Sequence, residues 1–336
     1  MRLARILIGF GLVAAVLAAA CGGGEEAATP TAGPEQSPTA RAAESPSAAP
    51  AGTGIEYPLT VTDMLGREVT LSAVPAAVAA LSPTTVEYVY AVGAASLTRS
   101  SSVRYPEAAT SAADIGPSYQ PNLELIAAKE PDLIVADSVL QPQLAQDLEG
   151  LNVPVVYAGA ESFDDVLRGM RLVGGVLDRS SEANAFVEGL VQQLGDLQAR
   201  LPAEKPKVLV LNGTPEDFFS AKPESYVGNL VDLLGGVNVA AGAPDVGRFP
   251  GYTKLSLEAI LPLAPDLVLA ITAGPPGGTT ITESLASNPG WADVPAVESG
   301  RVYEISAELY LQAPGPRVGE ALEGLAKLLY PEVFGP

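Results

Sequence analysis

From Ile55 onward the chain alternates short apolar runs with amphipathic stretches, a pattern that predicts strands and helices in turn. YPLTVTDMLGREVTL places extended segments on either side of Leu65-Gly66-Arg67, which suggests a hairpin. AAVAALSP (76–83) reads as a buried strand, TTVEYVYAVGA (84–94) as a helix closed by Gly93, and VPVVYAG (153–159) as another strand. Residues 162–177 look helical. A longer helix over 181–201 follows, with Ala183, Phe186, Val187, Leu190, Leu194, Leu197 and Leu201 at three- and four-residue steps, and Pro202 and Pro206 stop it. A second round then begins with a strand, KVLVLNG (207–213), and a helix, SYVGNLVDLLGG (225–236). The chain closes with a helix, a strand RVYEIS (301–306) and a helix from about Arg317 to Leu329. This alternation predicts an α/β protein: two lobes, each with a mainly parallel sheet flanked by helices, joined by a single long helix.

One unit is written twice. PNLELIAAKEPDLIVA (121–136) returns as LSLEAILPLAPDLVLA (255–270) at a constant offset of 134 residues. Asn122 and Ser256 stand where N-caps belong, which puts Glu124 and Glu258 in the first turns of their helices. A helix dipole stabilises an acid there by about 0.3–1 kcal/mol, enough to explain either glutamate alone. Two at equivalent places in facing lobes also suit a partner with two matching basic sockets. Asp132 and Asp266 read as turn formers ahead of the strands LIVA and LVLA.

Charge and composition then narrow the setting. Arg2 and Arg5 precede an apolar run to Ala20, so residues 1–20 read as a secretory signal. The run ends in VLAAAC and resembles the lipobox of bacterial lipoproteins, with Ala18 where a leucine is usual; that implies lipidation of Cys21, the only cysteine. Residues 21–54, rich in Pro, Ala, Ser, Gly and Glu, read as a disordered tether. Removing the signal takes the formal charge from −20 to −22, which argues against nucleic acid and acidic membrane surfaces as partners. The domain plan is then 55–160 for the N-terminal lobe, 161–205 for a helical connector and 206–336 for the C-terminal lobe. No histidine is present, so no His-based metal site is expected, and the usual His and Cys acid, base and thiol chemistries lack their residues. With no nucleophile, phosphate-binding or dinucleotide motif, the chain is expected not to be an enzyme.

Taken in order, VTDMLGREVTL, LSPTTVEYVYAVGA, YPEAA, DIGPSYQPNLELIAAKEPDLIVA, LLGGVNVAA, SLEAILPLAPDLVLA, NPGWADVPAVESGRVYEIS and PGPRVGEALEGLAKLLYPE resemble the substrate-binding proteins of ABC importers for ferric siderophores, haem and cobalamin. The resemblance covers nearly all of residues 57–331. It implies a ligand cleft between two α/β lobes, a rigid spine matched by the 181–201 helix, and a monomer that serves a dimeric permease and its ATPase subunits. It also implies that Glu124 and Glu258 each engage permease arginines, in charge-assisted bonds that fix orientation as well as affinity. The membrane would be met through the N-terminal lipid alone, on the outer face of the cytoplasmic membrane or in the periplasm.

Ligands of α/β lobes meet loops at the carboxyl ends of strands. That rule selects Ser82, Thr84, Arg104, Tyr105, Ser118, Tyr119 and Ser138 from the first lobe. From the second it selects Phe218, Phe219, Tyr226, Arg248, Phe249, Tyr252, Glu308 and Tyr310. In the resembled family, Ser118 and Tyr119 occupy the place of ligand-contacting residues. Tyrosines and arginines together suit an anionic or polyphenolic iron chelate. Tyr105 reads equally as a loop anchor, and Arg104 and Arg248 equally as surface ion-pair partners. Phe218 and Phe219 read as one core and one cleft residue, Trp291 as packed against the following strand, and Arg317 and Glu87 as structural. The lack of histidine disfavours a bare divalent metal and haem held by an axial histidine; a tyrosine-ligated haem, through Tyr119 or Tyr226, stays open. Ferric siderophore is the first expectation, with cobalamin or haem as alternatives. A surface receptor that senses its ligand without transport is the rival class.

Overall fold

The computed structural model describes residues 56–247, 250–274 and 277–335. The signal segment, Cys21, the tether, Arg248 and Phe249 lie outside the described residues. Strands β1 (Leu59–Thr62) and β2 (Glu68–Leu71) form the expected antiparallel hairpin, paired from Leu59↔Leu71 to Thr62↔Glu68. Asp63 shapes its turn by accepting the amides of Leu65 and Arg67.

The first α/β half then runs β3 (Val78–Ala80), α1 (Pro83–Ala91), β4 (Thr98–Arg99), β5 (Ala113–Asp114), α2 (Leu123–Ala127), β6 (Leu133–Ala136), α3 (Ala145–Glu149) and β7 (Val155–Tyr157). Its sheet is parallel, in the order β3-β6-β7, and every residue of these three strands is buried. Two helices follow, α4 (Phe163–Val176) and α5 (Ser180–Gln198). Ala183, Val187, Leu190, Leu194 and Leu197 make the buried stripe of α5 that the three- and four-residue steps predict. The stripe packs α5 onto α4, and α5 also contacts the C-terminal helix. Burying a leucine almost completely, as this stripe does, contributes up to about 1.5–3 kcal/mol.

The second half contains β8 (Lys207–Gly213), β9 (Phe218–Ala221), α6 (Tyr226–Leu233), β10 (Val237–Asn238), β11 (Tyr252–Thr253), α7 (Leu257–Ile260), β12 (Leu267–Thr272), α8 (Ile281–Ser287), α9 (Pro295–Glu298) and β13 (Val302–Glu304). A π-type turn over Glu308–Gln312, α10 (Val318–Leu329) and α11 (Pro331–Phe334) complete it. The sheet is mixed: β8, β12, β13 and β10 are parallel, while β9 and β11 join antiparallel in the order β11-β9-β8-β12-β13. The expected α/β architecture with mainly parallel sheets is therefore present, with an antiparallel edge added on one side. Phe218 and Phe219, expected in a loop, lie in the strand β9 that makes this edge.

The written repeat is also a structural one. In each half the repeated unit supplies a capped helix and then the strand that pairs with the half's first strand. Asn122 accepts the amide of Leu125, and Ser256 that of Ala259. The pairings Val78↔Leu133 and Val208↔Leu267 open equivalent parallel ladders. Asp132 and Asp266 do more than turn the chain. Asp132 accepts the amides of Ala76 and Ala77 at 2.8 and 2.9 Å, and Asp266 accepts that of Lys207 at 2.8 Å. Each aspartate thereby holds the start of the neighbouring strand in register.

Candidate functional site

A cavity of about 370 Å³ lies between residues of the two α/β halves. The first half contributes Val139, Leu140, Ala160 and Glu161, from the loops that leave β6 and β7 at their carboxyl ends. The second contributes Asn212 and Gly213 at the end of β8, Phe219 on β9, Ser225 and Tyr226 at the start of α6, and Tyr252 on β11. Val246, Gly247 and Pro250 line it from the loop before β11; Tyr310, Leu311 and Pro314 do so from the π-type turn and the segment after it. The antiparallel edge of the second sheet builds much of the wall, which places the cavity on that side of β8.

Most of the lining is apolar, and some of its polar atoms are held by local bonds. Ser225 caps α6 by accepting the Gly228 amide, and donates its hydroxyl proton to the carbonyl of Lys222. Tyr310 donates to the Ala321 carbonyl at 3.0 Å, which anchors the ring to α10. The Tyr226 hydroxyl is buried beside the Gly315 amide and completes no hydrogen bond among the described residues. Burial pushes its proton affinity up, so the group is a neutral phenol. Burial likewise raises Tyr252, with the Asn212 side chain opposing it in part. Burial, then the charges of Asp165 and Asp137, raises Glu161, the one acid among the described lining residues.

Of the ligand-binding expectations, Phe219, Tyr226, Tyr252 and Tyr310 line the cavity. Phe218 turns away and packs edge-on against the buried Trp291, with ring centroids 6.1 Å apart. Arg248 falls between two lining residues, Gly247 and Pro250, but outside the described residues.

The first-half expectations fare differently, for three physical reasons. Ser82 is fully buried as the N-cap of α1, and its hydroxyl donates to Asp137 at 2.9 Å. Asp137 in turn accepts the amides of Val139 and Leu140, so Ser82 braces the wall from behind without facing the cavity. Ser118 is buried too, and its carbonyl accepts from Gln141; Ser138 flanks Val139 but does not line the cavity. Arg104 spends its guanidinium on the carbonyls of Ser101 and Val103. Tyr119 is 69% exposed ahead of α2 and is not among the residues that line the cavity. Tyr105 is 48% exposed, and the Arg317 guanidinium stacks 4.6 Å above its ring. No arginine or lysine lines the cavity among the described residues, against the expected mix of tyrosines and arginines. Val139, Leu140 and Asn212 were missed, although the carboxyl-end rule that selected Ser138 covers their positions.

Glu87 and Arg317 meet across the halves. Arg317 donates to one Glu87 oxygen from Nε at 3.0 Å and from Nη2 at 2.7 Å, and Nη2 also donates to Glu308 at 2.8 Å. Glu87 is only 2% exposed, and its other oxygen has no partner among the described residues. Burial outweighs the arginine and pushes the carboxyl up to about 7. A folded-state value above the ordinary 4.5 means that folding takes up a proton in between. The resulting stability is fully present below about pH 4.5 and lost as the pH rises through about 7. E87Q, which stays neutral, is therefore expected to gain on the native protein by on the order of 3 kcal/mol between pH 5 and pH 8. Urea denaturation of both proteins across that range measures the difference. Parallel pH profiles would contradict it.

Glu124 and Glu258 are exposed in the first turns of α2 and α7, away from the cavity lining. Neither forms an ion pair with a described residue. A bond to its own backbone amide, with help from the Ser256 hydroxyl, lowers the Glu258 carboxyl. No group of acids, cysteines or histidines among the described residues is arranged to hold a metal ion, and no helix there is long and apolar enough to cross a membrane.

A model of the family described as periplasmic binding protein matches residues 78–309. The chain is 23% identical to the ABC transporter substrate-binding lipoprotein YvrC of Bacillus subtilis, over 83% of this chain and 87% of that one. It is 26% identical to the Fe(3+)-citrate-binding protein YfmC of the same organism, over 61% of this chain and 63% of the relative. Among solved structures, the periplasmic haem-binding protein RhuT of Roseiflexus sp. RS-1 in its apo form superposes with a TM-score of 0.66 at 25% identity. The match covers 76% of this chain and 98% of that one.

Proposed function

The chain belongs to the periplasmic binding protein family, whose members bind solutes for transport and are not enzymes, and on that premise we propose that it captures an iron chelate outside the cytoplasm and delivers it to an ABC permease. The cavity is the observation that carries this reading. Its volume lies in the roughly 300–1,000 Å³ range of small-molecule sites, and Phe219, Tyr226, Tyr252 and Tyr310 offer rings for stacking on a planar or aromatic chelate. Relatives named for ferric citrate and for haem both handle chelated iron, which supports the same class.

A ferric siderophore is the first reading. Haem, or a corrinoid such as cobalamin, is the second. The apolar lining favours it, because no cation among the described lining residues would neutralise a polyanion. In either case residues 55–160 and 206–336 act as the two lobes, with 161–205 joining them. Glu124 and Glu258 dock one lobe each onto basic sockets of a dimeric permease that works with ATPase subunits. Cys21 carries the lipid that holds the otherwise monomeric protein at the membrane, and the tether gives it reach.

The mature protein, incubated in iron-depleted spent growth medium and repurified, is expected to retain a coloured ligand. Absorbance and mass spectra separate ferric catecholate or hydroxamate, haem and corrinoid in one preparation. Recovery of an iron-free, colourless solute would overturn the reading.

A further inference from the structure

Two motifs 230 residues apart converge beside the cavity and play no part in lining it. TTVEYVY supplies Glu87 on α1, and PGPR supplies Arg317 at the start of α10. Between them stands the π-type turn that begins with Glu308 and carries Tyr310 and Leu311 into the cavity wall. We propose that Arg317 is a positioning residue, which ties this turn to the first half through Glu87 and Glu308 and so sets the width of the cavity.

The geometry suits the task. A guanidinium is a planar fork, and here it spans two carboxylates from different parts of the chain while its face rests on Tyr105. Glu87 and Tyr105 belong to the first half, Glu308 and Arg317 to the second. Both fork contacts to Glu87 converge on one oxygen, and Nη2 is shared between Glu87 and Glu308, so one guanidinium links the two carboxylates directly. The charged and titratable groups facing Glu87 are Arg317, Glu308, Glu320 of α10 and Tyr226 of α6, together with Tyr88 on its own helix. Arg317 is the one cation among them, so no described neighbour substitutes for it. Tyr310 is anchored to α10 by its hydroxyl, yet the turn around it has no other ion pair to the first half among the described residues.

The inference takes from the proposed function only that this cavity is the ligand site, and its test uses no ligand. Amide hydrogen exchange is followed by mass spectrometry on the ligand-free protein, for segments covering 308–314 and, as reference, 208–212 in β8. R317A is expected to speed exchange in 308–314 by roughly tenfold, the loss of a charge-assisted bond to a buried carboxylate, and to leave β8 as in the native protein. E308Q, which keeps Glu87 paired, is expected to fall between the two, and R317K to restore part of the protection. Unchanged exchange in the turn, or an equal change in both segments, would overturn the positioning role while leaving the iron-chelate reading intact. Failure to retain a chelate would sink that reading and leave the exchange result standing.

Discussion

With Glu124 and Glu258 both replaced by alanine, iron uptake by cells that depend on this protein is expected to fall to background, while the purified protein keeps its affinity for the ligand. The separation follows from where the two carboxylates sit. Both are exposed on the first turns of short helices, and neither lines the cavity. The helix caps survive the change, because Asn122 and Ser256 supply them. What folding loses is only a dipole contribution that solvent screens at both exposed sites. On the proposed docking role, the permease interface would lose a pair of charge-assisted contacts, each worth about 1.5–3 kcal/mol when desolvated. Together these make a hundredfold or larger loss of docking, with each single substitution intermediate. Uptake of labelled iron by complemented cells, set beside a binding titration of the purified variant, measures both halves of the expectation. Full uptake by the double variant, or a loss of affinity, would refute it.

A second large effect is expected from the smallest substitution. Gly228 sits in the first turn of α6 where a Cβ atom would be driven into the carbonyl oxygen of Lys222. That oxygen belongs to the backbone, and Lys222 is itself held by a hydrogen bond from its amide to the Gly251 carbonyl and by an ion pair to Asp245. No side-chain rotation relieves such a clash, so α6 must move. Its first turn carries Ser225 and Tyr226, two cavity residues. Gly228→Ala is therefore expected to destabilise the fold by about 3 kcal/mol or more, measured by urea denaturation, and to weaken ligand binding in parallel. Gly189→Ala on α5 is the control. That position is exposed with open space around it, so the same substitution is expected to stabilise by about 0.5–1 kcal/mol. A loss below about 1 kcal/mol for Gly228→Ala would show that α6 accommodates the methyl group.

The parts of the fold legible along the chain are those whose hydrophobic pattern is local. Strands β3, β6, β7, β8 and β12, and helices α1, α4, α5, α6 and α10, each bury a continuous run or a stripe, and each is readable within a residue or a few of its ends; β13 is readable too, although only partly buried. The short strands β4, β5, β9, β10 and β11 are not. Each is short and lacks the fully buried apolar run that marks β3, β6 and β7, and their pairing depends on where the neighbouring strand already lies. That omission mattered, because β9 and β11 carry Phe219 and Tyr252 into the cavity.

The candidate site divides along the same line. An aromatic residue near a strand end in the second half could be nominated because ligands of α/β lobes meet the loops at the carboxyl ends of strands. Whether it faced the cavity was a question of which way its loop folded. Tyr252 and Tyr310 line the cavity, whereas Tyr119 is exposed and does not. Ser82 matched the carboxyl-end rule equally well, yet it spends its hydroxyl behind the wall on Asp137.

By itself the sequence determined the α/β class, the doubling of one helix-strand unit, the buried stripe of α5 and the two exposed glutamates, because each is set by residues within a few turns of one another. Only the tertiary structure decided that Asp132 and Asp266 hold strand starts in register, that the cavity wall is apolar and tyrosine-rich with no described arginine, and that Glu87 meets Arg317. Those are contacts between segments tens to hundreds of residues apart. Packing chooses such partners by shape and by the cost of burying a charge alone, and no local pattern records that choice.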